Sequence, residues 1–136
     1  MVQAGLEGVI TGSGRPPQDF PECEKSAGWR DIESVADEIR AMGGAVLPAV
    51  SDVGDEAAVS SLLARTLSEF GRVDFVINNA GAARGRDRVP VVAMPIDAWD
   101  TVIRVNLRGT VLMSKIFGKQ LSDAGNGGCI VNLSSI

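Results

Sequence analysis

The 136-residue sequence contains no histidine and no tyrosine, and it has only two cysteines. Without histidine there is no Ser-His or Cys-His catalytic pair, and the most common zinc ligand is absent. Without tyrosine this stretch offers no phenolic acid or base. Cys23 and Cys129 lie far apart and match no metal or redox spacing. They therefore predict reduced thiols in a cytoplasmic protein.

The chain also lacks a basic surplus and a long apolar run. It has 13 Lys and Arg against 17 Asp and Glu, giving a net charge of −4 and a pI near 4.8. This balance argues against a nucleic-acid partner. No apolar run approaches the roughly 20 residues of a membrane span, and the N-terminus lacks the features of a signal peptide. With 45% hydrophobic residues, the chain is expected to form one globular domain without a membrane partner.

Four short apolar segments alternate with segments of helical periodicity. The pattern predicts strands near 8–11, 46–50, 73–77 and 129–133, and helices at about 29–42, 55–70 and 97–122. Alternation of this kind predicts an α/β fold, a partial doubly wound parallel sheet with helices on both faces. Pro48 restricts its strand to an edge of the sheet. Asn106 falls on an apolar stripe of the third helix and is expected to be buried.

A Gly-rich turn, Gly12-Ser13-Gly14-Arg15, follows the first strand. A phosphate-binding turn must lead directly into a helix, but Pro16 and Pro17 come next and no apolar periodicity appears before Trp29. The sequence therefore gives little support to a pyrophosphate-binding role for this turn. We interpret residues 15–28 as a Pro-rich insertion in a single partial domain, 1–136.

Polar and small residues follow the other strands at their carboxyl ends, where ligands bind in such sheets. The motifs are Asp52-Val53, then Asn78-Asn79-Ala80-Gly81, the helical segment 104–109 (RVNLRG) and the final segment 130–135 (IVNLSS). In this order they resemble the short-chain dehydrogenase/reductase family, and the resemblance covers about 8–136. It implies a Rossmann-like dinucleotide-binding fold and hydride transfer between NAD(P) and a small-molecule carbonyl or alcohol.

The resemblance also implies roles for single residues. Asp52 would hydrogen-bond the adenine amino group, and Val53 would pack beside the ring. Asn78 and Asn79 would hold the strand ends, while Ala80 and Gly81 would border the cofactor ribose. Asn106 would supply a backbone carbonyl for a water in the proton relay, and Ser135 would hydrogen-bond the substrate oxygen. Hydride transfer to a carbonyl loads negative charge onto that oxygen, so a donor there is useful.

The sequence departs from the family at both ends. The Tyr-x-x-x-Lys that supplies the acid/base is absent, and so are the first strand, its glycine-rich turn and the helix after it. We expect an internal fragment, inactive alone, of a protein that forms homo-oligomers. The strand order 3-2-1-4-5-6 places the absent strand between strands present here, which leaves two edges unpaired. The alternative is a non-catalytic remnant that binds a nucleotide or a partner.

The cofactor preference is predicted from the first strand, which matches the family's second. Gly12 then stands where NAD-preferring members carry an acidic residue for the ribose hydroxyls. With Ser13 and Arg15 beside it, a 2′-phosphate is accommodated, which favours NADP over NAD. The alternative is a turn with a solvated Arg15.

Overall fold

The computed structural model describes residues 7–82 and 85–134. The strands are β1 (Glu7–Gly12), β2 (Ala45–Val50), β3 (Phe75–Asn78) and β4 (Cys129–Asn132). The helices are α1 (Glu22–Ser26), α2 (Ile32–Ala41), α3 (Glu56–Phe70), α4 (Ile96–Val102) and α5 (Thr110–Ala124), with short 3₁₀ turns at Pro17–Asp19 and Val91–Ala93. A π-helical segment, Ile103–Gly109, joins α4 to α5.

All strand pairing in the described residues is parallel, as the sequence predicts. β1 pairs with β2 over six residues, from Glu7 opposite Ala45 to Gly12 opposite Val50. β3 pairs with β4, from Phe75 opposite Cys129 to Asn78 opposite Asn132. Within the described part of the chain β2 has β1 as its one neighbour, so the edge position of Pro48 is confirmed.

The sheet is divided into two pairs of strands, because β1 and β3 do not pair within the residues described. A cleft of about 660 Å³ separates them, with Val9 on one side and Phe75 and Ile77 on the other. Phe75 is 73% exposed and Ile77 is 64% exposed. The unpaired edges expected from the strand order therefore face a shared cleft.

One core nevertheless joins the two pairs of strands. α3 and α5 pack against each other, α3 contacts β1 and β2, and α5 contacts β3 and β4. The buried cluster takes residues from β2, α3, β3 and α5: Ala49, Val59, Leu62, Val76, Leu112 and Phe117. Leu112 is buried in this core, and the neighbouring Ile116 packs against it.

The third predicted helix differs from the expectation in two respects. It runs as α4, the π-helical segment and α5 instead of one regular helix over 97–122. Asn106 is exposed, so the prediction of a buried inward amide is wrong. A π turn holds more residues than an α turn, and it shifts the phase of every side chain that follows. In the described residues, no helix is long and apolar enough to cross a membrane.

Candidate functional site

The turn after β2 is shaped by two aspartates. The Asp52 Oδ1 accepts a hydrogen bond from the Gly54 N–H at 2.9 Å. Asp55 caps α3, since its Oδ1 accepts from the Ala57 N–H at 2.8 Å and the Ala58 N–H at 3.2 Å. These bonds satisfy amides that the first turn of a helix leaves free. The turn is thus fixed from strand to helix.

Two arginines of the π-helical segment bind this turn. The Arg104 guanidinium donates to Asp52 Oδ2 and pairs with that carboxylate. The Arg108 Nε donates to the Gly54 carbonyl at 3.1 Å. The hydrogen bond from Arg104, followed by that from the Gly54 N–H, lowers the pKa of Asp52. Asp52 is therefore a carboxylate at neutral pH and can accept a further N–H.

Two glycines allow the turn and the segment to approach so closely. A Cβ on Gly54 would lie 2.7 Å from Arg104 Nη1 and 2.9 Å from its Cγ. A Cβ on Gly109 would lie 2.7 Å from Val53 Cγ2. The side chain of Val53 therefore packs on the helix at Gly109, and its expected place beside adenine stays a prediction.

Asn78 closes the carboxyl end of β3. It is buried, and its Nδ2 donates to Asn132 Oδ1 at 2.7 Å and to Ser114 Oγ at 3.2 Å. The backbone carbonyl of Asn78 accepts a hydrogen bond from the Leu133 N–H at 3.0 Å. One amide thus connects β3, β4 and α5 at the edge where ligands bind in parallel sheets.

The chain after Asn78 lies open. Asn79, Ala80 and Gly81 are exposed, and the one atom of the described residues within 4 Å of a Cβ on Gly81 would be Asn106 Oδ1, at 3.9 Å. The same Oδ1 accepts from the Ala82 N–H at 2.8 Å. The bare backbone of this stretch leaves room for a flat ligand.

The Asn106 carbonyl lies near the junction of the π-helical segment and α5, where the backbone hydrogen bonds depart from the α-helical pattern. The Thr110 N–H donates to the Leu107 carbonyl, whereas an α-helix would direct it to Asn106. The Thr110 hydroxyl donates to the Asn106 carbonyl instead, at 2.8 Å. Breaks of this kind in a helix occur frequently at functional sites.

The Gly12 region contains a carboxylate that the sequence prediction did not include. A Cβ on Gly12 would lie 3.2 Å from Asp31 Oδ2 and 2.7 Å from Ile32 Cγ2. Asp31 precedes α2, but its side chain makes no capping hydrogen bond to that helix within the described residues. Arg15 pairs with Glu24 at 2.8 Å. Arg15 and Asp31 line one cleft of about 570 Å³.

Three residues remain, namely the predicted site residue Ser135 and two lysines of α5, Lys115 and Lys119. Ser135 lies outside the described residues. Lys115 pairs with Glu56 at 2.8 Å, and Lys119 pairs with Asp123. Both lysines are exposed. In the described ranges no group of three His, Cys, Asp or Glu side chains could hold a metal ion. Sequence reasoning did not find the roles of Arg104 and Arg108, although both flank the asparagine that it selected.

Comparison with known proteins supports what this geometry suggests. The sequence profile described as short chain dehydrogenase matches residues 26–136. The chain belongs to the short-chain dehydrogenase/reductase family. The partial Rossmann fold is therefore confirmed.

Two curated relatives and one solved structure illustrate the match. The D-threitol dehydrogenase of Mycolicibacterium smegmatis is 37% identical over 103 residues, which are 76% of this chain and 38% of that protein. The probable oxidoreductase EphD of Mycobacterium tuberculosis is 41% identical over 106 residues, 77% of this chain and 17% of that protein. A metagenomic short-chain oxidoreductase in complex with NADP has a TM-score of 0.73 and 29% identity, over 97% of this chain and 63% of that one.

The chain thus spans well under half the length of these two curated relatives. The activity, substrate and assembly of a whole protein are therefore proposals.

Proposed function

We propose that this chain forms the central part of an NAD(P)-dependent oxidoreductase, which transfers a hydride between a nicotinamide cofactor and a carbonyl or alcohol carbon. The observation that carries the proposal is the convergence of three motifs. The Asp52 turn and the loop after Asn78 both bind the π-helical segment, through Arg104 and Asn106 respectively. All three motifs meet at the carboxyl edge of the strands, where this fold class binds dinucleotides.

The residues of this edge fit such a cofactor. The Asp52 carboxylate keeps a lone pair on each oxygen beyond the bonds from Gly54 and Arg104, and an adenine amino group can donate to it. The open surface at Gly81 gives the ribose room. The Ser51 hydroxyl, buried at the end of β2, has no hydrogen-bond partner within the described residues. It is a polar atom still available to a ligand or water.

The chemistry divides between cofactor and protein. The bound nicotinamide supplies or accepts the hydride. The chain's own residues bind and orient: Asn106 holds the Ala82 amide with its side chain, and its carbonyl is proposed to hold a water of the proton relay. Ser135 is proposed to donate a hydrogen bond to the substrate oxygen, where charge accumulates on hydride transfer.

The finer prediction is a preference for NADP. The solved relative that contains NADP supports it. Two observations oppose it: Arg15 already pairs with Glu24, and the Asp31 carboxylate occupies the space beside Gly12. A carboxylate there accepts hydrogen bonds from ribose hydroxyls and repels a 2′-phosphate. The preference for NADP therefore requires the attraction of Arg15 for the 2′-phosphate to exceed the repulsion from Asp31.

A chimera tests the function and the preference together. This chain replaces the matching residues of the metagenomic oxidoreductase, which supplies the flanking segments. We expect NADPH- or NADH-dependent reduction of some ketone in a panel, followed by the absorbance of the reduced nicotinamide. Ser135→Ala should lower kcat about 10²-fold or more. A folded chimera that binds neither nucleotide would contradict the proposal.

The dissociation constants for NADPH and NADH then decide the preference. If NADP is preferred through Arg15, Arg15→Ala should weaken NADPH binding specifically. Whether or not NADP is preferred, Asp31→Asn should strengthen NADPH binding, because it removes a negative charge that repels the 2′-phosphate. Equal affinities in the unmutated chimera would show that the preference for NADP is wrong.

The second candidate function is a module that binds a nucleotide or a partner without chemistry. The absence of tyrosine from these 136 residues favours it for the chain taken alone. Nucleotide binding without turnover in the chimera, with its tyrosine supplied, would support this alternative. A cytoplasmic location and a homo-oligomeric whole protein stay predictions.

A further inference from the structure

We infer that Arg104 is a positioning residue, which orients the Asp52 carboxylate so that it accepts a hydrogen bond from the amino group of adenine. The inference rests on the proposed function and concerns the base selectivity of the same site. It follows from the contacts that the π-helical segment makes with the turn after β2.

The carboxylate needs an external support. Asp52 stands just after β2, and 49% of its side chain is exposed. The Gly54 N–H binds Oδ1 and leaves Oδ2 without a partner from the turn itself. Arg104 supplies that partner. With one donor on each oxygen, the plane of the carboxylate is set, and the two remaining lone pairs have defined directions.

Arg104 is itself held in place. Its side chain crosses Gly54 so closely that a Cβ there would lie 2.9 Å from Arg104 Cγ. One turn later along the π-helical segment, Arg108 binds the Gly54 carbonyl at 3.1 Å. The segment therefore binds the turn at two points, which holds the backbone that carries Arg104 close to Asp52.

The pair is suited to orientation more than to stability. Both side chains are about half exposed, 48% for Arg104 and 49% for Asp52, and ion pairs in contact with water contribute little to folding. The main effect of losing Arg104 is therefore expected in ligand selectivity. The lowered pKa of Asp52 reflects the same bond and gives an independent readout.

The test compares two ligands that differ in one group. AMP carries the 6-amino group, and purine riboside 5′-monophosphate lacks it. Binding of each to the 136-residue chain is followed by NMR at millimolar ligand. We expect the unmutated chain to prefer AMP roughly fivefold, the effect of about one hydrogen bond. Arg104→Gln should make the two affinities nearly equal, and Arg104→Lys should restore part of the preference.

A matched control comes from a distant pair. Arg40 binds Asp37 at 3.0 Å, and Asp37 also has a lowered pKa, caused by Arg30 and then Arg40. Arg40→Gln should raise the pKa of Asp37 and leave the preference for AMP unchanged. Arg104→Gln should raise the pKa of Asp52 alone, measured by NMR titration of the side-chain carboxyl carbons.

The outcomes separate the two claims. Equal binding of both ligands by the unmutated chain would refute the role of Asp52 in the proposed function, and the inference with it. A preference for AMP that survives Arg104→Gln would overturn the inference alone. Loss of the fold in Arg104→Gln would also overturn it, because Arg104 would then be a structural residue.

Discussion

Replacing Gly109 by Ala tests whether the helix and the turn after β2 are packed as closely as described. Gly109 is buried and has helical backbone angles, with φ −58° and ψ −48°. In an open helix position this exchange stabilises by up to about 1 kcal/mol. Here the new methyl would lie 2.7 Å from Val53 Cγ2 and 3.1 Å from Val53 Cβ.

The contact should reverse the sign of the effect. Forcing an extra methyl into a packed contact costs about 1–3 kcal/mol, more than the helical propensity of Ala returns. We therefore expect Gly109→Ala to lower the free energy of unfolding by about 1 kcal/mol. Gly118 is the matched control, since it lies in α5 and a Cβ there would meet Ile130 Cδ1 at an ordinary 3.4 Å. Gly118→Ala should stabilise by about 0.5–1 kcal/mol.

Urea unfolding followed by circular dichroism measures both variants. The midpoints should move in opposite directions while the m-value stays constant. If Gly109→Ala is as stabilising as Gly118→Ala, the turn and the π-helical segment are not in contact, and the arrangement of the site around them is refuted.

Three further predictions concern the same molecule. Asn78→Ala should lower the free energy of unfolding by about 1–3 kcal/mol, because it removes two hydrogen bonds, to Asn132 and Ser114, that contribute about 0.5–1.5 kcal/mol each. Asn79→Ala at the exposed neighbour should stay within about 0.5 kcal/mol, and urea unfolding measures both variants. The 136-residue chain with NADPH and ketones should show no turnover, since losing a positioned general acid costs about 10²–10⁴-fold; steady oxidation abolished by Ser135→Ala would contradict this. A carboxylate with a lowered pKa, such as Asp52, adds stability above its unfolded pKa of about 3.9, and this stability should be lost as the pH falls below about 4. Thermal unfolding from pH 6 to pH 2.5 should show a smaller loss in Arg104→Gln than in the unmutated chain.

Much of the fold follows from patterns that are local in sequence. The apolar runs and the helical periodicity predict parallel strands, and Pro48 correctly predicts an edge. Helix ends also follow local signals, since the glycine after α3, Gly71, takes a left-handed conformation. The observed bounds differ from the predicted ones by few residues, since local capping and turn residues determine them.

The errors arise where tertiary contacts override a local pattern. The periodicity around Asn106 fits an α-helix, but the segment from Ile103 is π-helical and Asn106 is exposed. No local sequence pattern predicts the change from α-helix to π-helix at Ile103. Asp31 is distant from Gly12 in sequence, so only the fold brings a carboxylate to the place where the sequence has glycine.

The contacts of Arg104 and Arg108 show the same limit at the candidate site. The motif 104–109 identified Asn106, and the partners of its two arginines, Asp52 and Gly54, lie about 50 residues earlier. These pairs form only because the fold places the π-helical segment against the turn after β2. The sequence therefore predicts which elements carry the site, and the structure supplies the contacts between them.

The central claim is that the carboxyl edge of the strands binds the adenine nucleotide. The most direct measurement is a titration of the ¹⁵N-labelled chain with AMP, followed through backbone amide shifts. We expect the largest shifts at Gly54, Gly81 and Ala82, and none at Gly71 or Gly125, which precede strands at the opposite edge. Shifts centred on Gly71 and Gly125, or no shifts at millimolar AMP, would contradict the account.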